Sequence, residues 1–107
     1  MFTEPLPFLL PFTDMVVGVC TIELYIPMSG SLKGKRQVLQ SIKSKIKNKF
    51  NVAIAEVGEQ DLWQKAILGV TTVANDRSFV NEVMDKVIGF VSSFPEVQIV
   101  HHQLELI

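Results

Sequence analysis

The amino-acid sequence predicts one α+β domain in which two helices pack on a four-stranded antiparallel sheet. Four segments alternate apolar and polar residues or are rich in β-branched residues, which is typical of strands. Two longer segments repeat apolar residues every three or four positions, which is typical of helices with one buried face. The length of 107 residues and the hydrophobic content of 48% suit a single folded core.

The first half of the domain is predicted as strand, helix, strand. The first strand covers residues 16–26 and ends at Pro27, which cannot donate to a sheet. A helix follows, and Ser29 or Ser31 can cap its first turn by accepting a backbone N–H. The second strand is predicted over residues 51–57. The apolar face of the helix is formed by Leu32, Leu39, Ile42, Ile46 and Phe50.

The second half repeats this order. A third strand is predicted over residues 63–74, after which Asn75 or Asp76 caps a second helix. Pro95 closes that helix, and the last strand covers residues 97–106. The buried arc of the second helix is predicted to consist of Phe79, Val80, Val83, Val87, Phe90, Val91 and Phe94.

This order of elements matches the split βαβ, or ferredoxin-like, plan (βαββαβ). Short connections and right-handed crossovers then place both helices on one face of the sheet and give the strand order 4-1-3-2. The residues expected beneath the helices are Cys20, Ile22, Leu24, Ala55, Leu68 and Val70.

The helix-free face of the sheet is expected to carry several adjacent apolar side chains. Such a patch is unusual on the surface of a monomer. We therefore expect a homo-oligomer that buries part of this face, and coverage by the N-terminal residues is the alternative. The candidate interface residues are Val17, Val19, Tyr25, Val52, Ile54, Ile67 and Val73.

Charge is distributed unevenly along the chain. The net charge is −1, yet seven of the ten Lys and Arg lie between Lys33 and Lys49. No acidic residue occurs between Glu23 and Glu56, so no acid neutralises this segment locally. Two interpretations remain open: a solvated helix whose lysines extend over the edges of the core, or a basic surface that binds the phosphates of RNA.

The loop before the first helix favours the second interpretation. Free N–H groups and the helix dipole attract phosphate to such a position. The loop is not a P-loop, because Gly30 and Gly34 are too close together and Arg36 stands where a magnesium-binding hydroxyl is required. The candidate nucleic-acid or anion-binding residues are Ser29, Gly30, Ser31, Lys33, Lys35, Arg36, Lys43 and Lys47.

No other pattern indicates catalysis, a metal or a cofactor. The acidic residues of segment 56–61 are expected to be solvated turn residues, and Trp63 is expected to cap the edge of the core. His101 and His102 are adjacent on a strand, so they point to opposite faces and cannot readily share one ion. We therefore predict no catalytic residue, no metal and no cofactor.

Cysteine usage and the N-terminal segment indicate a cytoplasmic protein. Cys20 is the only cysteine and lies in an apolar strand, which excludes an intrachain disulfide and favours a buried thiol. No apolar stretch is long enough to span a bilayer. Residues 1–14 contain three prolines and lack a basic leading segment, so they make a poor signal peptide. We expect a Pro-rich leader over 1–14 and a single domain over 15–107.

From Met15 onward the chain resembles the YlxP-like proteins, a bacterial family. The matching segments are MVVGVCTIEL, SLKGKRQVLQSIKSKIKNKFNV, AEVGEQDLWQKAILGV and ANDRSFVNEVMDKV. The resemblance implies a ferredoxin-like fold and supplies no activity, and the genome context of family members links them to translation and ribosome factors. We predict a non-catalytic binding module, associated with RNA or the ribosome through the basic first helix. The alternative is a homo-oligomeric protein-interaction domain with no nucleic-acid role.

Overall fold

The computed structural model describes residues 13–107, which contain strands and helices in the predicted order. The leader expected over residues 1–14 lies, up to residue 12, outside the described residues. Within the described range, no helix combines the length and the apolar character that crossing a membrane requires. The elements are β1 (Val16–Tyr25), α1 (Leu32–Lys49), β2 (Ala53–Gly58), β3 (Lys65–Ala74), α2 (Arg77–Ser92) and β4 (Gln98–Leu106).

The strands form one antiparallel sheet in the order β2-β3-β1-β4, which is the predicted order read from the other edge. β1 pairs with β3 along its whole length, from Val16 opposite Ala74 to Tyr25 opposite Lys65. β4 pairs with the other side of β1, with one register shift after Glu23. β1 and β3 are therefore the central strands, and every second residue of β1 is buried.

Both helices lie on one face of this sheet, as predicted. Alternate residues of β1 and β3 form one continuous core with the inward residues of both helices. The closest approach is at Gly18, where an added Cβ would lie 2.6 Å from Val80 Cγ1 and 3.3 Å from Met84 Cε. Only a residue without a side chain leaves α2 room to pack this closely on β1.

The predicted orientation of β2 is wrong. Ile54 is buried and Val52 packs against the same core, whereas Ala55 is exposed. Ile54 lies opposite Val70, and directly opposed residues of an antiparallel pair face the same side of the sheet. Both faces of β2 carry apolar residues, so the alternation does not identify the buried face. The register of β2 with β3 identifies the buried face. It shows that Val52 and Ile54 do not lie on the helix-free face.

The buried stripe of α2 also differs from the prediction at two positions. Phe79 is 53% exposed, and Met84, which was not predicted to be buried, is fully buried. Asp76 is the cap, and its Oδ2 accepts a hydrogen bond from the Phe79 amide at 3.3 Å. The buried residues follow a four, three, four spacing that begins one residue after Phe79: Val80, Met84, Val87 and Val91.

Candidate nucleic-acid interface

Ser31, one of the two predicted caps, is the N-cap of α1. Its Oγ accepts a hydrogen bond from the Gly34 amide at 3.0 Å, and its carbonyl accepts one from the Lys35 amide at 3.1 Å. Within residues 13–107, the amides of Leu32 and Lys33 have no protein acceptor. These free donors and the positive end of the helix dipole make the first turn attractive to a phosphate group.

The two residues before the cap play different parts. Ser29 is only 7% exposed, and its Oγ donates to the carbonyl of Ser31 at 3.1 Å. Ser29 therefore supports the cap and does not present a free hydroxyl to solvent. Gly30 is exposed, and nothing lies within 4 Å of the position that a Cβ would occupy. Gly30 thus leaves the approach to the first turn of α1 open.

Lys35 does not belong to the anion-facing surface, contrary to the prediction. Its side chain is fully buried, and Nζ donates to the carbonyls of Glu59 at 2.8 Å, Gln60 at 3.3 Å and Lys65 at 2.9 Å. Glu56 Oε2 lies 2.8 Å from the same nitrogen. An ammonium has three N–H donors, and the carbonyls take all of them. The carboxylate therefore balances the charge without receiving a directed hydrogen bond.

Two further lysines of α1 lie on the edge of the helix that faces α2. Lys45 Nζ is 5.4 Å from the ring centroid of Phe94. Lys49 Nζ is 4.6 Å from the centroid of Phe90 and 5.9 Å from that of Phe50. These distances are within the range of cation–π attraction. Both lysines are exposed, and their ammonium groups lie against the aromatic rim of the core.

The remaining cations of α1 lie along its opposite edge, which we call the basic edge: Lys33, Arg36, Lys43 and Lys47. None of the four has an ionic partner among residues 13–107, where the ion pairs are Lys35 with Glu56 and Lys86 with Glu82. At 1.5 Å per residue the basic edge extends over about 20 Å. It offers a row of unneutralised charge long enough to follow several phosphates of a nucleic-acid strand.

The other candidate chemistry is absent from the described part of the chain. Glu59 and Asp61 are exposed turn residues, as expected. No group of three His, Cys, Asp or Glu side chains within residues 13–107 could hold a metal ion. His101 and His102 lie opposite successive residues of β1, so their side chains point to opposite faces of the sheet. Neither histidine joins the basic edge in a common site.

Cys20 is a fully buried free thiol, as predicted. Burial raises the pKa of this thiol, and the negative charge of Asp85 contributes a smaller rise in the same direction. The thiolate is the nucleophilic form of cysteine, so a buried thiol with a raised pKa is inert near neutral pH.

The helix-free side of the sheet, which we call the open face, carries the remaining residues of the predicted oligomer interface. Val17, Val19 and Tyr25 alternate with the buried residues of β1 and are half-buried. On β3, Ile67 is half-buried and Val73 is 56% exposed. The pairing of Val17 with Val73 and of Val19 with Thr71 joins these positions into one apolar surface.

A shallow depression of about 350 Å³ lies in the open face beside β2. Small side chains form its floor, because Ala53 and Ala55 point to this face and Gly69 has no side chain. Val57, 56% exposed, forms one wall and would lie 2.9 Å from a Cβ at Gly69. The lining of this depression is therefore mostly apolar.

Three exposed apolar side chains on the loops at one end of the sheet were not predicted. Met28 is 91% exposed, Trp63 54% and Leu62 44%. The prediction that Trp63 caps the core is therefore wrong. The position of Trp63 in the sequence could have indicated its exposure. It follows the polar turn of residues 58–61 and precedes the alternating apolar residues of β3 that fill the core.

Comparisons with known proteins support the fold and leave the activity open. A family described as "Protein of unknown function (DUF503)" matches residues 17–104. The "Uncharacterized protein YlxP" of Bacillus subtilis (strain 168) is 40% identical over 83 residues, which are 78% of this chain and 90% of that protein. The solved structure of "De novo designed protein Foldit4" superposes with a TM-score of 0.51 at 10% identity, covering 87% of this chain and 96% of that one. At that identity the likeness shows the fold alone.

Proposed function

Because the chain belongs to the DUF503 family of proteins of unknown function, we propose its function from the surface described above: a non-catalytic cytoplasmic module that binds single-stranded RNA, free or within the ribosome, through the basic edge of α1. One observation carries the proposal. Of the seven basic residues of α1, one is buried in an ion pair and two lie over aromatic rings, whereas the four of the basic edge have neither kind of partner in the described structure.

Negative charge is absent from α1 and lies elsewhere in the molecule. A solvated helix commonly pairs its lysines with acids three or four residues away, but α1 contains no acidic residue. The rest of the molecule is mildly acidic, so it does not attract nucleic acid by itself. Unpaired cations in a row gain free energy from phosphates because counterions are released from the nucleic acid. Binding should therefore depend on this edge and weaken with salt.

The test is the salt dependence of RNA affinity. Four phosphate contacts to a single strand give a log–log slope of about −3, at roughly 0.7 per phosphate. Fluorescence anisotropy of a labelled single-stranded RNA, measured over a series of potassium chloride concentrations, gives this slope. We expect Lys43→Gln to reduce it by about 0.7 and to weaken binding equally for all RNA sequences, because phosphates carry no sequence information.

The matched control is Lys86→Gln. Lys86 is a solvent-exposed helical lysine on α2, paired with Glu82 at 3.1 Å and outside the basic edge. We expect this change to leave both affinity and slope unaltered. If the variant with all four basic-edge residues changed to Gln binds RNA as the original chain does, the basic edge is only a solvated surface and the proposal is wrong.

A second candidate function has its own supporting observation. The open face combines exposed Val57 and Val73 with a depression floored by alanines and glycine. A sheet face with adjacent apolar side chains and a receptive depression favours a protein contact. The homo-oligomeric interaction domain is therefore the second proposal, and self-association through the open face is compatible with RNA binding on α1, since the two surfaces lie on opposite sides of the molecule.

A further inference from the structure

Two loops at one end of the sheet are joined into a fixed unit. The loop between β1 and α1 runs over residues 26–31, and the loop between β2 and β3 runs over residues 59–64. Gln64 makes two hydrogen bonds between the loops. Its carbonyl accepts one from the Ile26 amide at 2.8 Å, and its Nε2 donates one to the Pro27 carbonyl at 2.9 Å. The two loops therefore keep one relative position.

Lys35 of α1 forms further hydrogen bonds to the β2–β3 loop. Its ammonium holds carbonyls at both ends of the β2–β3 loop, those of Glu59 and Lys65, and that of Gln60 between them. Inside the loop, the Leu62 amide donates to the Glu59 carbonyl at 3.2 Å. A loop with this many backbone bonds to a buried charge is preorganised, so a side chain that it presents loses little entropy on binding.

The loop presents an aromatic ring beside a shallow depression whose lining is mostly apolar. Trp63 is 54% exposed, although a tryptophan ring is among the largest apolar groups that a fold can bury. The ring lines a depression of about 460 Å³ together with Ser29, Gly30, Leu62, Gln64 and Lys65. The lining thus combines a π surface with backbone and amide groups and one lysine. That combination suits a flat ring with hydrogen-bonding edges.

We propose that Trp63 is a stacking platform for one unpaired base of a single-stranded RNA whose backbone follows the basic edge of α1. The inference rests on the proposed function and extends it from phosphate binding to base binding. The depression adjoins Ser29 and Gly30, which lead directly into the turn where the basic edge begins with Lys33 and Arg36. Single-strand binders combine such a positive track with aromatic rings on which bases stack.

The charges around Trp63 favour a nucleotide over an acidic or purely apolar partner and also orient it. Lys65 lies in the depression, and the free amides of Leu32 and Lys33 lie at the end of α1 that adjoins it. Glu59 and Asp61 are exposed acidic residues of the same loop, and their negative charge repels phosphates. The phosphates next to the stacked base are therefore expected on the α1 side of the ring, in line with the basic edge.

The experiment uses the fact that Trp63 is the only tryptophan in the chain, so tryptophan fluorescence, excited selectively over Tyr25, reports on this position alone. Titration with a short oligouridylate should quench the emission, because a base stacks on the ring. Inorganic polyphosphate of similar charge offers phosphates without bases, so it should compete for the basic edge without that quenching. Equal quenching by both probes would overturn the stacking proposal.

Substitutions separate a stacking contact from a phosphate contact. Trp63→Leu should weaken oligouridylate binding by about 5- to 150-fold while the log–log salt slope stays unchanged, because a base contact is lost and no phosphate contact is. Trp63→Phe keeps a ring and should restore most of the affinity. Circular dichroism and urea denaturation check that both variants fold, which the exposure of the residue favours.

The outcomes distinguish the two proposals. If Trp63→Leu binds oligouridylate as tightly as the original chain while the four-residue basic-edge variant does not bind, the base platform is wrong and the RNA-binding function stands. Trp63 then remains as a contact for a protein partner. If the original chain binds no RNA even at low salt, both proposals are wrong.

Discussion

At the scale of single residues, the buried ammonium of Lys35 fixes the conformation of the exposed loop that carries Trp63. Placing an ammonium in the protein interior costs several kcal/mol unless its donors and its charge are all compensated. Here three carbonyls and the Glu56 carboxylate provide that compensation. Because the carbonyls belong to the β2–β3 loop and its flanks, the same bonds fix the loop that carries Trp63.

Removing the Lys35 ammonium should destabilise the domain strongly. Lys35→Met keeps most of the side-chain volume but leaves the Glu56 carboxylate without its counter-charge and three carbonyls without their donor. We expect the free energy of unfolding to fall by about 3–5 kcal/mol in urea denaturation. Lys33→Met, on the exposed side of the same helix, is the matched control and should change it by less than about 0.5 kcal/mol. Equal stability of the two variants would refute the role given to Lys35.

Cys20 gives the stability a pH dependence whose direction is set by burial. The pKa of its thiol is raised in the folded protein above the ordinary value of 9.0. Below that value the thiol is protonated in both states, so its contribution is fully present. As the pH rises through it, the unfolded thiol ionises while the buried thiol keeps its proton, and stability is lost until the folded pKa is passed.

The measurement is urea denaturation of the original chain and of Cys20→Ala from neutral pH to above the ordinary thiol pKa. Other groups titrate in both proteins, so the difference between the two curves isolates the thiol. We expect the original chain to lose up to about 1.4 kcal/mol more per pH unit above that pKa. Parallel curves would show that the thiol pKa is the same in the folded and unfolded states.

At the scale of elements, α1 separates its charges by helical position. The inward stripe of α1 consists of residues that are separated by four, three and four positions. It starts with Lys35 and continues with Leu39, Ile42 and Ile46. The lysines of one flank lie over the rings of Phe50, Phe90 and Phe94, and the other flank, the basic edge, has no ionic partner in the described structure. A charge run that looks uniform in sequence therefore has three structural roles.

The packing of α2 on β1 predicts opposite effects for two glycines. Gly18→Ala places a methyl group 2.6 Å from Val80 Cγ1 in a filled core, so we expect a loss of about 1–3 kcal/mol in the free energy of unfolding. Gly89→Ala, in an exposed turn of α2 with nothing within 4 Å, should add about 0.5–1 kcal/mol because alanine favours the helix. Thermal denaturation measures both changes. A neutral Gly18→Ala would mean that α2 moves away from the sheet at little cost.

At the scale of the whole molecule, both helices cover one side of the sheet and leave the other side open. This arrangement places the basic edge and the open face on different sides, so the two proposed functions can be tested independently. It also keeps the Trp63 loop at the end of the sheet from which α1 starts.

Self-association through the open face is tested by sedimentation equilibrium. We expect a dimer for the original chain and a monomer for Val57→Lys, because a lysine at the wall of the depression would bury an unpaired charge in the interface. Phe79→Lys is the control, since Phe79 is similarly exposed, at 53%, but lies on α2 away from the open face. A monomeric original chain would exclude the oligomer.

The sequence by itself determined the order of elements and the alternation of β1 and β3, and therefore the sheet order and the covered face. It limited each helix cap to two residues, of which the structure identifies Ser31 and Asp76. These features follow from local rules of hydrophobic periodicity and turn chemistry. A long helix or strand repeats its periodic pattern several times, so the pattern identifies it reliably. Helical spacing alone also predicts the row of basic-edge residues, of which Lys43 is half-buried and the other three are exposed.

Only the tertiary structure decided the rest. The buried face of β2 depends on its register with β3, because both of its faces are apolar. Helical spacing places Lys35 on the inward stripe of α1, but the burial of a charged side chain there depends on carbonyls more than twenty residues away along the chain. The exposure of Trp63 depends on those same bonds, which hold its loop outside the core. Each is a contact between segments distant in sequence, and no local pattern records such a contact.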